Sequence, residues 1–198
     1  ELEIEAMLTH LKIPSSISVG LYPHLQMVDL RLTATAGSQH AARQTLRALT
    51  TPLKRQLGRA LYGTNEDTLE AVVGQHLIAH RLPLALAESC TGGLCTETLT
   101  RVPGSSRYVR GAVVAYHHEV KHRTLGVSRA ILAHAGTVSA QTAAHMAEGV
   151  RQEIGANLGL AITGIAGPTG GTRSQPVGLV FFGLADHEHT LTRREQFA

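Results

Sequence analysis

The sequence predicts an α/β protein: a layered α/β domain with a largely parallel sheet, preceded by a small α+β module. Two observations indicate the larger domain. The first is a series of short apolar runs of strand length, and the second is that longer segments with apolar residues at helical spacing lie between those runs. Such alternation is typical of a sheet covered by helices. A third observation, a half-exposed strand near the start, indicates the smaller module. We place the two modules at residues 1–63 and 64–198.

The first module is predicted to contain two helices and two strands. Val28, Leu30 and Leu32 alternate with polar residues, as in a half-exposed strand of an antiparallel pair. Pro52 should kink or restart the second helix, because proline lacks an N–H donor. The predicted elements are a helix over 1–12, a strand over 17–21, a turn at Tyr22-Pro23-His24, a strand over 25–36 and a helix opening at Gly37-Ser38.

The second module is predicted to alternate between strands and helices, and its last two strands should form a hairpin across Asp186-His187-Glu188. Its strands are predicted over 84–87, 111–116, 158–162, 177–184 and 190–197. Its helices are predicted from Thr64–Asp67 to Arg81, after Gly93, over 117–125, over 128–135 and over 139–155.

Composition narrows the class of protein. Apolar residues make up 43% of the chain while aromatics make up 4%, so we expect a core of Leu, Val, Ile and Ala. No apolar run reaches membrane-spanning length, and no segment resembles a signal peptide. Cys90 and Cys95 are predicted on different faces of one helix, unable to pair, and free thiols favour a cytoplasmic location. The net charge of +3 is too weak to indicate nucleic acid binding.

One stretch combines a strand end, a hydroxyl, a thiol and two glycines. The run Leu84–Ala87 is followed by Glu88, Ser89, Cys90, Thr91 and Gly92-Gly93, and then by helical spacing. Unpaired N–H groups at a helix start suit either an anion or a nucleophile beside an oxyanion hole. Helix capping by a Ser or Thr side chain is the structural alternative.

Three loops are predicted to meet at the carboxyl ends of three strands. They span 89–93, 116–121 and 163–167, and ligands of open α/β sheets bind at this edge. Ser89, Lys121 and Thr163 should therefore lie together, and a serine beside a neutral lysine is a workable pair for acyl transfer. The chain has neither a G-x-S-x-G elbow at Ser89 nor a P-loop motif.

Lysine usage singles out Lys121. Fifteen of the eighteen basic residues are arginine, and the lysines are Lys12, Lys54 and Lys121. Arginine cannot give up its proton, whereas a buried or crowded lysine can; burial and the charge of Arg123 or His122 could lower the pKa of Lys121. Two alternatives stay open at this point. Lys121 could be an exposed residue paired with Glu119, and Cys90 competes with Ser89 as the nucleophile.

Several ordered motifs closely resemble the CinA family, the competence- and damage-inducible proteins. They cover residues 66 to 198, and the first module resembles the KH-like domain that precedes the amidase domain in longer members. A nucleotide-cleaving domain precedes both in those proteins and is expected to be missing from this piece. The motifs are Ala87-Glu-Ser-Cys-Thr-Gly-Gly93, Gly104-Ser-Ser106, Arg110-Gly111, Tyr116…Glu119-Val-Lys121, Leu125-Gly-Val127, Val138-Ser139, Thr163-Gly-Ile-Ala-Gly-Pro168 and Pro176-Val-Gly178.

The resemblance implies an amidase that converts nicotinamide mononucleotide to nicotinic acid mononucleotide and ammonia, without a metal or another cofactor. Ser89 would be the nucleophile, Lys121 its base and Tyr116 an assisting residue. We also expect a homo-oligomer with a small nucleotide as its partner. The backbone of two loops would bind the oxyanion or the phosphate: Cys90, Thr91, Gly92 and Gly93 in the first, and Thr163, Gly164, Ile165, Ala166 and Gly167 in the second.

This chain departs from the family pattern in three places. His117-His118 stand where Ser-Asn is common, and Gln175 stands where Lys is frequent. The family also continues past the last strand, so we expect the domain to be truncated at its C-terminus. These departures leave open a family member that keeps the fold and lacks activity. A nucleic acid-binding module is the other alternative, although Gly37-Ser-Gln-His40 lacks the G-x-x-G of KH domains.

Overall fold

The structure, a computed structural model, describes residues 2–9, 11–24 and 27–197. It forms two compact units, Glu1–Asn65 and Glu66–Ala198. The first is a small α+β unit and the second a layered α/β unit, so the predicted fold class is confirmed. None of the helices in the described ranges is long and apolar enough to cross a membrane.

The first unit contains one two-stranded antiparallel sheet. The strands pair along their whole length, from Ile17 opposite Ala34 to His24 opposite Met27. Ser38 caps the second helix by accepting the N–H of Ala41. The elements are α1 (Leu2–Thr9), β1 (Ile17–His24), β2 (Met27–Ala34) and α2 (Gln39–Leu57).

Three local predictions in this unit are wrong. Tyr22-Pro23-His24 is not a turn but the end of β1, because an isolated strand pair has an open side where proline needs no N–H. Pro52 does not restart α2, which continues across it with Leu49 and Leu53 buried. The first helix ends at Thr9 rather than at Lys12. The predicted start of the second strand, at 25 and 26, lies outside the described residues.

The second unit is built on a five-stranded sheet in the order β4-β3-β5-β6-β7. Strand β3 pairs in parallel with β4 and β5, whereas β6 and β7 are antiparallel and form the predicted hairpin. Its elements are α3 (Leu69–Ala79), β3 (Leu84–Glu88), α4 (Leu94–Thr100), β4 (Val109–Val114), α5 (His118–Arg123), α6 (Arg129–His134), α7 (Ala140–Ile154), β5 (Leu158–Gly164), β6 (Leu179–Ala185) and β7 (Thr190–Gln196).

Several boundaries in this unit differ from the prediction. Thr68, rather than the segment 64–67, caps α3, since its hydroxyl accepts the N–H of Ala71. Strand β4 ends at Val114, which leaves Tyr116 beyond the strand, and α4 begins at Leu94, which leaves Cys90 in the preceding loop. The two cysteines therefore do not share a helix.

Apolar side chains leave the sheet on both faces. Ala85 and Ala87 of β3 pack with Met146 and Val150 of α7, while Leu84 and Leu86 pack on the other side near Leu99 and Tyr108. Successive side chains of β3 point to opposite faces of the sheet, so this one strand contributes to two apolar clusters. Helix α7 lies very close to the sheet: a Cβ built at Gly159 or Gly183 would meet the carbonyl oxygen of Ala147 or Ala143 at 2.0 Å or 2.3 Å.

Candidate active site

Ser89 lies at the carboxyl end of β3, between the two strands that pair with β3. Its backbone N–H donates to the carbonyl of Ile162 at 2.9 Å, which continues the pairing with β5 one residue beyond the strand. The residue is 7% exposed. The sheet therefore fixes the backbone of Ser89 while its hydroxyl faces the cavity described below.

Lys121 brings its amine to this hydroxyl from α5. Its Nζ lies 2.7 Å from Ser89 Oγ and 2.8 Å from the carbonyl oxygen of Ala115, and the residue is only 2% exposed. The alternative of an exposed Lys121 paired with Glu119 is wrong, because Glu119 instead binds Arg129 through both carboxylate oxygens. The structure thus brings together the nucleophile and base expected from the sequence.

Burial lowers the pKa of Lys121 from its ordinary value to about 8, because desolvation disfavours the ammonium form. A negative charge on Cys90 as the thiolate would oppose this shift by favouring the charged amine. The positive charge of Arg123 or His122, expected to help, is not among the causes of the shift. An appreciable neutral fraction of the amine is therefore present near pH 7 to 8.

A cavity of about 430 Å³ opens beside this pair, within the size range of small-molecule sites. All three predicted loops contribute to it, since each follows the carboxyl end of a parallel strand. Tyr116 stands at its edge with 74% of its surface exposed. The predicted site residues that line the cavity are Ser89, Cys90, Tyr116, Lys121, Thr163, Gly164, Ile165, Ala166 and Gly167.

Thr91, Gly92 and Gly93 do not line this cavity. The N–H of Gly92 donates to the carbonyl of Ser89 at 3.1 Å, and the N–H of Gly93 donates to Glu88 Oε2 at 3.2 Å. Both donors already have partners inside the protein. The prediction that these two glycines offer N–H groups to a ligand is therefore not met in this structure.

The backbone N–H groups at the start of α4 already have a partner, which is the side chain of Glu88. Its carboxylate is fully buried and accepts the N–H groups of Gly93, Cys95 and Thr96, with the Thr96 hydroxyl as a further donor. Burial alone would raise its pKa, but the hydrogen bonds from the Thr96 hydroxyl and from the backbone N–H groups of Thr96 and Cys95 hold the pKa below its ordinary value. A carboxylate thus caps α4 in place of a ligand anion.

Five cavity residues were not predicted as site residues. His117 and His118 belong to the predicted loop 116–121, but no site role was assigned to them, and they were discussed as departures from the family pattern. His117 also caps α5, because its Nδ1 accepts the N–H of Glu119 at 3.3 Å. The five are His117, His118, Thr137, Val138 and Thr169.

The second glycine loop is tied to its neighbours at its ends. Thr163 donates its hydroxyl to the carbonyl of Thr137 at 2.9 Å, and Gln175 donates its side-chain amide to the carbonyl of Val138 at 2.9 Å. Between these ties, the N–H groups of Ala166 and Gly167 donate to no acceptor in the described ranges. Since both residues line the cavity, these two N–H groups remain available to a ligand there.

Cys90 lines the same cavity, but its thiol is a poorer candidate nucleophile. Burial raises its pKa, and this effect outweighs the favourable influence of its own N–H and of Lys121. The thiol form therefore predominates near neutral pH.

Within the described residues, no group of three His, Cys, Asp or Glu side chains is arranged to hold a metal ion.

Fold and site together define a layered α/β protein with a serine hydroxyl and a buried lysine amine in one cleft. Residues 66–198 match the model of the CinA C-terminal domain, and residues 1–63 match that of the damage-inducible protein CinA KH domain. The chain belongs to the CinA family.

Similar proteins agree with this assignment. A CinA-like protein of Dictyoglomus thermophilum is 46% identical over 174 residues, or 88% of this chain and 42% of that protein. A CinA-like protein of Nostoc punctiforme is 44% identical over 191 residues, or 96% of this chain and 46% of that protein. The chain thus spans less than half the length of these relatives.

Solved structures of the family share the fold. The competence damage-inducible protein A of Klebsiella pneumoniae is 34% identical with a TM-score of 0.63, and the match covers 65% of this chain and 80% of that one. The competence/damage inducible protein CihA of Agrobacterium tumefaciens is 35% identical with a TM-score of 0.62, and the match covers 69% of this chain and 86% of that one.

Proposed function

We propose that this chain hydrolyses the carboxamide of nicotinamide mononucleotide, releasing nicotinic acid mononucleotide and ammonia. The observation that carries the proposal is the contact of 2.7 Å between the buried amine of Lys121 and the hydroxyl of Ser89, at the wall of a cavity of suitable size. The reaction class follows from this pair, because a serine and a neutral amine are suited to acyl transfer. The nucleotide itself is suggested by the family resemblance.

In the first half of the reaction, neutral Lys121 takes the proton of Ser89 as Oγ attacks the carboxamide carbon. The carbonyl oxygen becomes an oxyanion in a tetrahedral intermediate. The protonated Lys121 then gives its proton to the amide nitrogen, and the C–N bond breaks. Ammonia departs, and the acyl group remains bound to Ser89 as an ester. Lys121 returns to the neutral form, so the same amine can serve both halves of the reaction.

In the second half, water attacks the ester carbon while Lys121 accepts one of its protons. The proton passes back to Ser89 Oγ as the C–O bond breaks, and the carboxylic acid product leaves. The carbonyl of Ala115, which accepts a hydrogen bond from Lys121 at 2.8 Å, keeps the amine in place through both steps. The reaction as written needs no metal or cofactor.

The oxyanion requires N–H donors that are fixed before the reaction begins. We assign this role to the second glycine loop, whose Ala166 and Gly167 N–H groups have no acceptor in the part of the chain that the structure describes. His117 through its Nε2, His118 through its ring nitrogens and Thr169 through its hydroxyl line the same cavity and could donate to the phosphate or the ribose. Tyr116 lies at the cavity edge, where it could pack on the pyridine ring.

The test is release of ammonia from nicotinamide mononucleotide by the 198-residue chain, with Lys54→Arg as a matched control for Lys121→Arg. Lys54 is exposed on α2, so its replacement removes a lysine without touching the site. We expect turnover that Lys54→Arg retains and Lys121→Arg loses. Binding of the nucleotide without release of ammonia would instead support a family member that has kept the fold and lost the reaction.

For the first unit we propose a spacer or dimerisation role within a homo-oligomer, since its sequence lacks the G-x-x-G with which KH domains hold a nucleic acid backbone. Tight, salt-sensitive binding of single-stranded RNA by the chain would contradict this role. We also propose a cytoplasmic location, which the two free cysteines support.

A further inference from the structure

A second cavity, of about 410 Å³, lies at the opposite end of the parallel strands from Ser89. Pro83 and Asn157, which line it, immediately precede β3 and β5, whereas Ser89 and Thr163 mark the other ends of the same strands. Since β3 has five residues, the two cavities are separated by about 17 Å along the strand. This cavity therefore belongs to a separate part of the domain and has no role in the proposed reaction.

Three arginines line this cavity, and no acidic residue does. Arg81, Arg107 and Arg110 are all exposed, and none of their guanidinium groups forms an ion pair or hydrogen bond with a residue that the structure describes. In contrast, Arg101 and Arg129, elsewhere on the same domain, bind the carboxylates of nearby glutamates. Three like charges around one concavity repel one another, and an anion between them would relieve that repulsion.

Arg81 also occupies an unusual backbone position. Its φ is +55°, in the left-handed region, where it follows the C-terminus of α3. Its N–H and that of Leu82 donate back to the carbonyls of Ile78 and Leu77, as in a common helix ending whose left-handed residue is usually glycine. An arginine thus stands where the backbone favours glycine, and its side chain lines the cavity. This choice places a guanidinium at the cavity at a cost in backbone strain.

The remaining walls of the cavity indicate which other chemical groups a bound anion would have. Leu77, Ile78, Leu82 and Pro83 provide an apolar side, and Asn157 adds an amide with both donors and an acceptor. We propose that this cavity binds a phosphate-bearing small molecule, with the phosphate between the arginines and an apolar or aromatic part against the leucines. A nucleic acid is disfavoured, because its backbone calls for an extended basic stripe and the whole chain carries a net charge of only +3.

The proposal is tested by calorimetric titration of the 198-residue chain with AMP, adenosine and inorganic pyrophosphate. The double variant Arg107→Gln/Arg110→Gln is compared with Arg43→Gln/Arg194→Gln, which removes two exposed arginines outside the cavity and changes the net charge equally. We expect AMP to bind and adenosine to bind at least tenfold more weakly. We also expect the first double variant to weaken AMP binding at least tenfold while the second changes it less than twofold. Circular dichroism melting checks that both variants fold.

Several outcomes would overturn the proposal. Equal weakening in both double variants would show a general charge effect, and no weakening in either would place AMP elsewhere. Loss of AMP binding in Ser89→Ala/Lys121→Met, with the arginine variants unaffected, would assign it to the catalytic cavity. Absence of binding by both AMP and pyrophosphate would exclude the site, and arginine-dependent binding of a twelve-nucleotide RNA far tighter than that of AMP would identify a nucleic acid surface instead.

Discussion

The amine of Lys121 lies 2.7 Å from the hydroxyl of Ser89, although the two residues are 32 positions apart in the chain. Strand β3 delivers the hydroxyl and helix α5 delivers the amine, and both residues are buried. In the proposed reaction this amine must be neutral to accept the serine proton. The rate of that reaction should therefore depend on the protonation state of Lys121.

Replacement of Ser89 separates it from the neighbouring thiol as nucleophile. Ser89→Ala should lower ammonia release by roughly 10³-fold or more, because no group remains to form the ester. Cys90→Ala should keep turnover within about tenfold of the unaltered chain, because burial keeps Cys90 in the thiol form. The opposite pattern, with Cys90 indispensable and Ser89 replaceable, would contradict the assignment.

Replacement of Lys121 by arginine tests proton transfer rather than charge. Lys121→Arg should lower kcat by roughly 10²- to 10⁴-fold, the usual contribution of a positioned base, because a guanidinium stays protonated. The unaltered chain should show kcat/KM rising with pH through about 8, where Lys121 loses its proton. A profile that is flat from pH 6 to 10, or near-normal turnover by Lys121→Arg, would leave Lys121 with a structural role only.

The buried amine should also leave a signature in stability. Its pKa of about 8 in the folded chain lies below the ordinary 10.5, so the unfolded chain binds more protons between those values, and this group's contribution to stability rises from pH 8 to 10.5. Relative to Lys121→Met, the unaltered chain should gain up to about 3 kcal/mol over that range.

Urea unfolding of both proteins from pH 7 to 10.5 measures this difference. The comparison between variants is necessary because the raised pKa values of Cys90, Cys95 and Tyr108 act in the opposite direction in the unaltered chain. A constant difference across the range would show that Lys121 titrates normally.

Glu88→Gln should destabilise the second unit at pH 7 by about 1 to 3 kcal/mol, because an amide cannot satisfy all the N–H donors that the buried carboxylate now accepts. The pKa of Glu88 is held below its ordinary 4.5, so its stabilising effect is complete above that value and is lost as pH falls through the folded pKa. The difference between the two proteins should shrink accordingly in acid.

Glu97→Gln on the same helix is the matched control, since the Glu97 side chain is half exposed and, within the described part of the chain, its carboxylate pairs with Arg101 alone at the surface. Thermal melts at pH 7 and pH 3.5 compare the three proteins. If Glu97→Gln were as harmful as Glu88→Gln, the cap would have no special importance.

His117→Ala should destabilise the chain by about 0.5 to 2 kcal/mol, because the side chain accepts the N–H of Glu119 and caps the helix that carries Lys121. His117→Asn, which keeps a cap acceptor, should lose less. His118→Ala serves as the control, because His118 is exposed and does not cap the helix. Equal losses in His117→Ala and His118→Ala, measured by thermal melting, would argue against the cap.

Much of the fold, and nine of the fourteen residues that line the cavity, were predictable from the sequence. Parallel strands bring their carboxyl ends together, so Ser89, Lys121 and Thr163 could be placed around one cavity. The rare use of lysine indicated Lys121 before its burial was known. The patterns could not reveal that a side chain of the protein competes with a ligand for the N–H groups at the start of α4. Glu88 is the last residue of a strand, yet its carboxylate accepts the N–H groups of Cys95 and Thr96 that were expected to be open to a ligand.

Local sequence rules also failed where pairing or packing outweighed them. Pro23 indicated a turn, but the pairing of β1 with β2 extends through it to His24. Pro52 indicated a break, but the buried Leu49 and Leu53 on either side hold α2 in one piece. The positions of Thr137 and Val138 at the cavity depend on the path of the segment before α7, and the motif Val138-Ser139 gave no indication of that path.

The close approach of α7 to the sheet and to the segment after α5 has a consequence for which substitutions the fold tolerates. A Cβ at Gly149, Gly159 or Gly183 would come within 2.0 to 2.3 Å of a backbone carbonyl oxygen of Leu125, Ala147 or Ala143, a contact that no rotamer change can relieve. These glycines serve the architecture, whereas Ser89 and Lys121 serve the proposed chemistry. A substitution at Ser89 or Lys121 should therefore leave the fold intact while it removes the proposed reaction, whereas a side chain at any of the three glycines should disturb the packing of α7.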